Sequence, residues 1–249
     1  GKMCFQECDI RTHLTQVLSE KDPSTDPYGL LEAPVWHPRE SKFQAMNEIR
    51  RSFARQLIKG NALWWFDMWG GWYADDDIMD EMATFKSIYE QSITDADRSS
   101  KAEVAVFVDE SAYKYLTSGS LRGMFHDRRR ELGLMGTPYD MYDVNDFEAV
   151  YGNYKAVILL SSAKTANMEK ALDICKTNDV PYIMTSPLKD KFTVNELRAF
   201  CKTNGIHIYC ETDDIVYVNE NYICIYAVTA GEKTLDLGKE RSVSELLGG

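Results

Sequence analysis

Val104-Ala105-Val106-Phe107-Val108 is an unbroken run of five apolar residues that ends abruptly in Asp109-Glu110-Ser111. A run of that length without polar alternation reads as a strand buried on both faces, and such strands belong to parallel sheets covered by helices. Toward the C-terminus, Tyr139–Tyr142, Ala156–Leu160, Tyr182–Met184 and Ile206–Tyr209 repeat the short apolar pattern. Between them, Leu121–Leu132, Ala166–Thr177 and Val194–Thr203 carry helical spacing, as in Leu197, Phe200 and Cys201. The alternation predicts an α/β domain of βαβ units with right-handed crossovers. Gly133 and Gly205 read as left-handed helix caps. Ile215–Val218 and Tyr222–Val228, joined by Asn219-Glu220-Asn221, and then Lys233–Leu237 after Gly231, predict a small antiparallel appendix.

Toward the N-terminus the texture changes. The polar stretch Thr94–Lys101 separates the sheet domain from a segment that holds all five tryptophans, and a domain boundary is placed there, giving 1–98 and 99–249. In the first segment Phe43, Met46, Ile49, Phe53 and Leu57 form an apolar stripe on a helix predicted over Lys42–Lys59. Ala62-Leu63-Trp64-Trp65-Phe66 then reads as a strand. Strand, loop, helix, strand is the order of one repeat of a (β/α) barrel.

The 249 residues are 44% apolar and 27% charged, which is ordinary globular composition. Lys and Arg number 28 against 39 Asp and Glu, so the net charge is 28 − 39 = −11. Repulsion at long range argues against nucleic acid and anionic membrane surfaces as partners. No run approaches the ~20 apolar residues of a membrane span, and the start carries no apolar signal segment. Gly1 in place of methionine reads as a processed chain or a fragment. Six scattered cysteines without a Cys-x-x-Cys pair read as buried free thiols in a reducing compartment, with a cytoplasmic location expected.

Glu7, Asp9, Arg11 and His13 alternate along one stretch, so an extended chain points two carboxylates, a guanidinium and an imidazole to one side. A solvated edge strand and a reaction site both fit that pattern. The second cluster is Trp64-Trp65-Phe66-Asp67-Met68-Trp69-Gly70-Gly71-Trp72-Tyr73, and aromatic faces beside a carboxylate suit sugars, whose C–H faces stack on rings while hydroxyls bond to acids. Trp64 and Phe66 read as strand core, whereas Trp69, Trp72 and Tyr73 surround a Gly-Gly turn. Asp75-Asp76-Asp77 precedes a helical pattern and reads as a cap, not a metal cluster. After Val108 comes no Gly-rich phosphate loop, and no nucleophile elbow succeeds the later strands, so no cofactor and no nucleophile are expected in the second domain. His126-Asp127-Arg128-Arg129-Arg130 reads as a solvated helix face.

Taken together, Glu7-Cys8-Asp9-Ile10-Arg11-Thr12-His13, Ala62–Met68 with Gly70–Tyr73, and Gly205–Tyr209 with Asp214–Tyr217 resemble the C-terminal part of a beta-galactosidase-type glycoside hydrolase of the family 42 kind. The resemblance implies a partial (β/α) barrel followed by a flavodoxin-like domain similar to class I glutamine amidotransferases, without their catalytic cysteine. It implies that the chain starts at the seventh barrel strand and that Glu7 is the nucleophile of a retaining glycosidase. Asp9, Arg11, His13, Trp65, Asp67, Trp69 and Trp72 are then the candidate carbohydrate-binding residues. The acid/base carboxyl, ~5 Å from the nucleophile in such enzymes, would come from a strand outside this chain, leaving this chain inactive alone. Two barrel strands leave Phe5, Leu63 and Trp65 without cover, so association with another copy or with the rest of a longer polypeptide is expected. The rival reading is a non-catalytic flavodoxin-like module for oligomerisation or ligand sensing.

Overall fold

A computed structural model describes residues 4–16, 24, 36–68, 70–115, 128–161, 163–185 and 191–248. The chain divides into two compact units, Gly1–Arg98 with Ser244–Gly249, and Ser99–Val243.

The first unit runs β1 (Phe5–Cys8), α1 (Lys42–Lys59), β2 (Ala62–Trp65) and α2 (Asp76–Asp95). Helix α1 starts where the Ser41 hydroxyl accepts from the Gln44 N–H, and it stops at Gly60, whose left-handed φ of 67° lets its N–H reach back to Gln56 and Leu57. Helix α2 starts at Asp75, whose carboxylate accepts from the N–H groups of Asp77 and Ile78. The aspartate run is therefore a cap, with Asp76 and Asp77 in the first turn facing the helix dipole. Strands β1 and β2 are parallel, with Phe5 opposite Ala62, Gln6 opposite Leu63, Glu7 opposite Trp64 and Cys8 opposite Trp65.

Period two then sorts these side chains onto two faces. Gln6, Cys8, Leu63 and Trp65 share the face covered by both helices: Gln6 accepts from Gln56 of α1, and Trp65 stacks on Phe85 of α2 at 6.1 Å. Phe85 in turn stacks on Phe53 of α1 at 4.4 Å. Phe5, Glu7 and Trp64 lie on the other face, where Phe5 is 59% and Trp64 40% exposed. Of the three residues expected to lack cover, Phe5 stands open while Leu63 and Trp65 are half-buried. Among the described residues this unit holds a two-stranded sheet and no closed barrel.

The second unit is built on a four-stranded parallel sheet: β3 (Val104–Val108), β4 (Tyr139–Asp143), β5 (Ala156–Leu160) and β6 (Tyr182–Met184), in the order β4-β3-β5-β6. Successive residues of the two central strands feed opposite layers. Val104, Val106, Ile158 and Leu160 pack with Leu132 of α3 (Arg128–Gly133) and with Leu197 and Cys201 of α6 (Val194–Thr203). Ala105, Phe107, Val157 and Leu159 pack with Phe147 of the short α4 (Phe147–Val150) and with Met168, Ala171 and Cys175 of α5 (Ala166–Thr177). Helices thus cover both faces, an arrangement consistent with a flavodoxin-like α/β fold. Strands β7 (Ile215–Val218) and β8 (Ile223–Tyr226) pair antiparallel as the appendix.

Two expected strands do not form. Ile206 and Ile208 are buried in the core, but the N–H groups of Tyr209 and Cys210 donate to the Gly136 carbonyl, so this segment packs against a turn instead of extending the sheet. Lys233–Leu237 is irregular and is attached by the Asp236 N–H to the Tyr209 carbonyl at 2.8 Å, by the Asp236 carbonyl to His207 and by Lys233 to Asp214. Gly205 has the expected left-handed φ of 64°, whereas in the other helix end it is Gly136, with φ 84°, and not Gly133 that turns the chain. A side chain at Gly136 would place Cβ 1.8 Å from the Cys210 carbonyl oxygen. The predicted helix over Leu121–Leu132 is seen from Arg128 onward; residues 121–127 lie outside the described residues.

Candidate functional site

The site expected from sequence gathers at the C-terminal ends of β1 and β2, where a (β/α) architecture places loops free to carry chemistry. Glu7 is exposed on the open face of β1, with Trp64 directly opposite it in register. Trp64 makes an edge contact with Phe66 at 5.2 Å between ring centroids. The carboxylate thus stands beside a two-ring aromatic strip, and among the described residues it has no hydrogen-bond or ion-pair partner to tie it down. The sequence reads Trp64 and Phe66 as strand core, and the resemblance implies a carbohydrate-binding Trp65. In the register Trp64 is on the open face, whereas Trp65 pairs with Cys8 and turns toward the helices, meeting Tyr73 at 6.0 Å.

Strand β1 ends at Cys8, so the alternation of Glu7, Asp9, Arg11 and His13 does not continue as one extended face. Beyond Cys8 the chain bends and is stitched to the loop after β2. The Tyr73 hydroxyl donates to the carbonyls of Cys8 at 3.1 Å and Ile10 at 3.2 Å, and the Thr12 hydroxyl donates to the Trp72 carbonyl. Burial, with the nearby Cys8 thiol and Asp67 and Asp9 carboxyls, pushes the Tyr73 phenol above its ordinary range, so this hydroxyl stays a donor. The Cys8 thiol is likewise pushed up by burial, to about 11, and is inert at neutral pH.

Arg11 is the centre of the bend. Its side chain is 4% exposed, and its Nη1 donates to Asp9, to the carbonyl at 2.7 Å and to the carboxylate at 2.9 Å. Its guanidinium carbon lies over two rings, 4.1 Å from the centroid of Trp36 and 4.9 Å from that of Trp72, and gains cation–π attraction from both. Nε and Nη2 are buried and have no hydrogen-bond partner among the described residues. Asp67 holds the Trp72 loop: its two oxygens accept from the N–H groups of Gly70 at 2.8 Å and Trp72 at 3.0 Å. Gly70 and Gly71, with φ of 82° and 86°, supply the left-handed turn this needs. His13 stands 3.7 Å from Asp75, which also pairs with Lys42 at 2.7 Å. Trp69 lies outside the described residues.

The structure therefore brings Asp9, Arg11, Asp67 and Trp72 into one connected group, adds Trp36, Thr12 and Tyr73, and sets His13 on the α2 cap. Trp36 carried a weak sequence signal, a lone tryptophan between Pro34 and Pro38. Among the described residues no three His, Cys, Asp or Glu side chains converge to hold a metal ion.

In the second unit the place to look is the C-terminal edge of β3 and β5, where the strand order reverses and doubly wound sheets receive ligands. Asp109 fills it. Its carboxylate is fully buried and accepts from the Ser111 N–H at 2.9 Å, the Ser111 hydroxyl at 2.5 Å and the Thr165 hydroxyl. Thr165 also caps α5, accepting from the Met168 N–H at 3.2 Å. A shallow depression of about 430 Å³ along the outer side of α5, bordered by Glu169, Lys170, Asp173 and Asn178, brings together no nucleophile and base.

No family model, curated protein or solved structure matches the chain. Among the described residues no helix is long and apolar enough to cross a membrane.

Proposed function

We propose that the first unit is a wall of the carbohydrate site of a retaining glycoside hydrolase, beta-galactosidase-like, and that Glu7 is its nucleophile. The observation that supports this is the pairing of an exposed Glu7 with Trp64 on the face of a parallel β–α–β–α segment that no helix covers among the described residues. In a closed (β/α) barrel both helices lie outside and that face lines the interior. A carboxylate beside a ring is what the reaction requires: the sugar stacks on the aromatic strip while a Glu7 oxygen attacks the anomeric carbon from the side opposite the leaving group. A glycosyl ester forms as the bond to the leaving oxygen breaks, and water later cleaves the ester. The proton for the leaving oxygen comes from a second carboxyl on polypeptide outside this chain. Asp9, Arg11, Asp67 and Trp72 hold the loop beside the site, and the second unit serves assembly.

The test is turnover by the full-length gene product on aryl β-galactosides. Glu7→Gln is expected to lower kcat by about 10³-fold or more, since the covalent route is lost. The melting temperature should hold, because the side chain is exposed. Unimpaired turnover in the variant overturns the assignment.

A further inference from the structure

We propose that the free edge of Arg11 is a carboxylate receptor and that the sugar it selects is acidic, a uronic acid of the galacturonic kind. The inference rests on the carbohydrate reading of the first unit and names the substrate class within it. Three observations carry it. Arg11 is buried to 4% exposure and uses only Nη1, on Asp9. The two donors left over, Nε and Nη2, are adjacent on the same edge of the guanidinium, and both are shielded and without an acceptor among the described residues. That edge is the one that matches the two oxygens of a carboxylate in parallel hydrogen bonds.

A buried guanidinium with an empty fork is costly to keep unless something completes it. The flanking groups say what fits. The guanidinium carbon lies over the rings of both Trp36 and Trp72, so a group that reaches the free edge comes up beside aromatic surface. Trp72 is fully buried and fixed through Asp67, whereas Trp36 is half-exposed, so of the two rings Trp36 is the one with a face open to a sugar.

Methyl β-galacturonide and methyl β-galactoside differ at C6, carboxylate against hydroxymethyl, and make the decisive pair. Their binding to the chain is measured calorimetrically at neutral pH, with tryptophan fluorescence reporting on Trp36. The galacturonide is expected to bind about tenfold or more tightly than the galactoside, with a fluorescence change. Arg11→Lys, which keeps the charge but not the fork, is expected to remove most of that preference. Equal binding of the two sugars, or binding of neither, overturns the inference, and this wild-type comparison decides even if the variant does not fold. Acetate binding as tightly as the galacturonide overturns the sugar assignment. Because binding is read without turnover, a failed Glu7→Gln test leaves this result standing, and equal sugar binding leaves the Glu7 test standing.

Discussion

Asp214 shows how one carboxylate ties the appendix together. It is fully buried, which by itself would raise its pKa. Hydrogen bonds from Lys233, the Thr212 hydroxyl and the Val228 N–H outweigh burial and hold it down to about 2. A folded-state pKa below the unfolded value of roughly 3.9 adds stability above that value, and the contribution is lost as pH falls through about 4 to 2. Asp214→Asn should therefore melt lower than the wild type at pH 7, with the two curves converging near pH 2. A melting-temperature gap that does not narrow on acidification would contradict this role. At the same scale the sequence was a partial guide. Asp75 was legible as a cap because three aspartates precede an apolar period. The Trp64 and Trp65 orientations were not, because adjacent tryptophans carry no phase until the register with β1 fixes it. Asp67 was legible as a site-loop acid, but not its bonds to the Gly70 and Trp72 N–H groups, which hold the turn.

At the scale of elements, the parallel sheet was readable strand by strand from unbroken apolar runs: β3, β5 and β6 fall where expected, and β4 gains Asp143. Ile206–Tyr209 misled for a physical reason. A short apolar run is equally compatible with core-facing loop, and here Gly136 supplies the carbonyl that a neighbouring strand would have supplied. The two helix caps α5 and α6 give a matched comparison. Thr193 caps α6 at the surface in a reciprocal box with Glu196, so Thr193→Ala should cost about 1 kcal/mol. Thr165 caps α5 and also satisfies buried Asp109, so Thr165→Ala removes a cap and strips a donor from a buried carboxylate, for about 2–4 kcal/mol. Urea unfolding of the two variants measures the difference. Equal destabilisation would show that the Asp109 contact is incidental.

For the whole molecule, the change of texture and the polar stretch near residue 98 suggested domains over 1–98 and 99–249, and the compact units are Gly1–Arg98 with Ser244–Gly249, and Ser99–Val243. Composition could not convey the state of the first unit's uncovered face. Phe5, Trp64 and Met68 are 59%, 40% and 42% exposed, and both edges of the two-stranded sheet are open among the described residues. Apolar surface beside unpaired strand edges favours association. Sedimentation of the chain should show concentration-dependent self-association, and an apolar dye should bind the dilute form. Phe5→Lys with Trp64→Lys should weaken both. A compact monomer at every concentration, dark to the dye, would contradict the barrel-wall reading.

The glycosidase account is tested most directly by trapping its ester. The full-length gene product is incubated with 2,4-dinitrophenyl donors of 2-deoxy-2-fluoro-β-galactose and the matching uronic acid, whose leaving group needs no proton. Peptide mass mapping is predicted to find one fluorosugar per chain on the Glu7 oxygen, with an equal amount of dinitrophenolate released. A label on any other carboxylate, or turnover of β-galactosides with no label at all, contradicts the account.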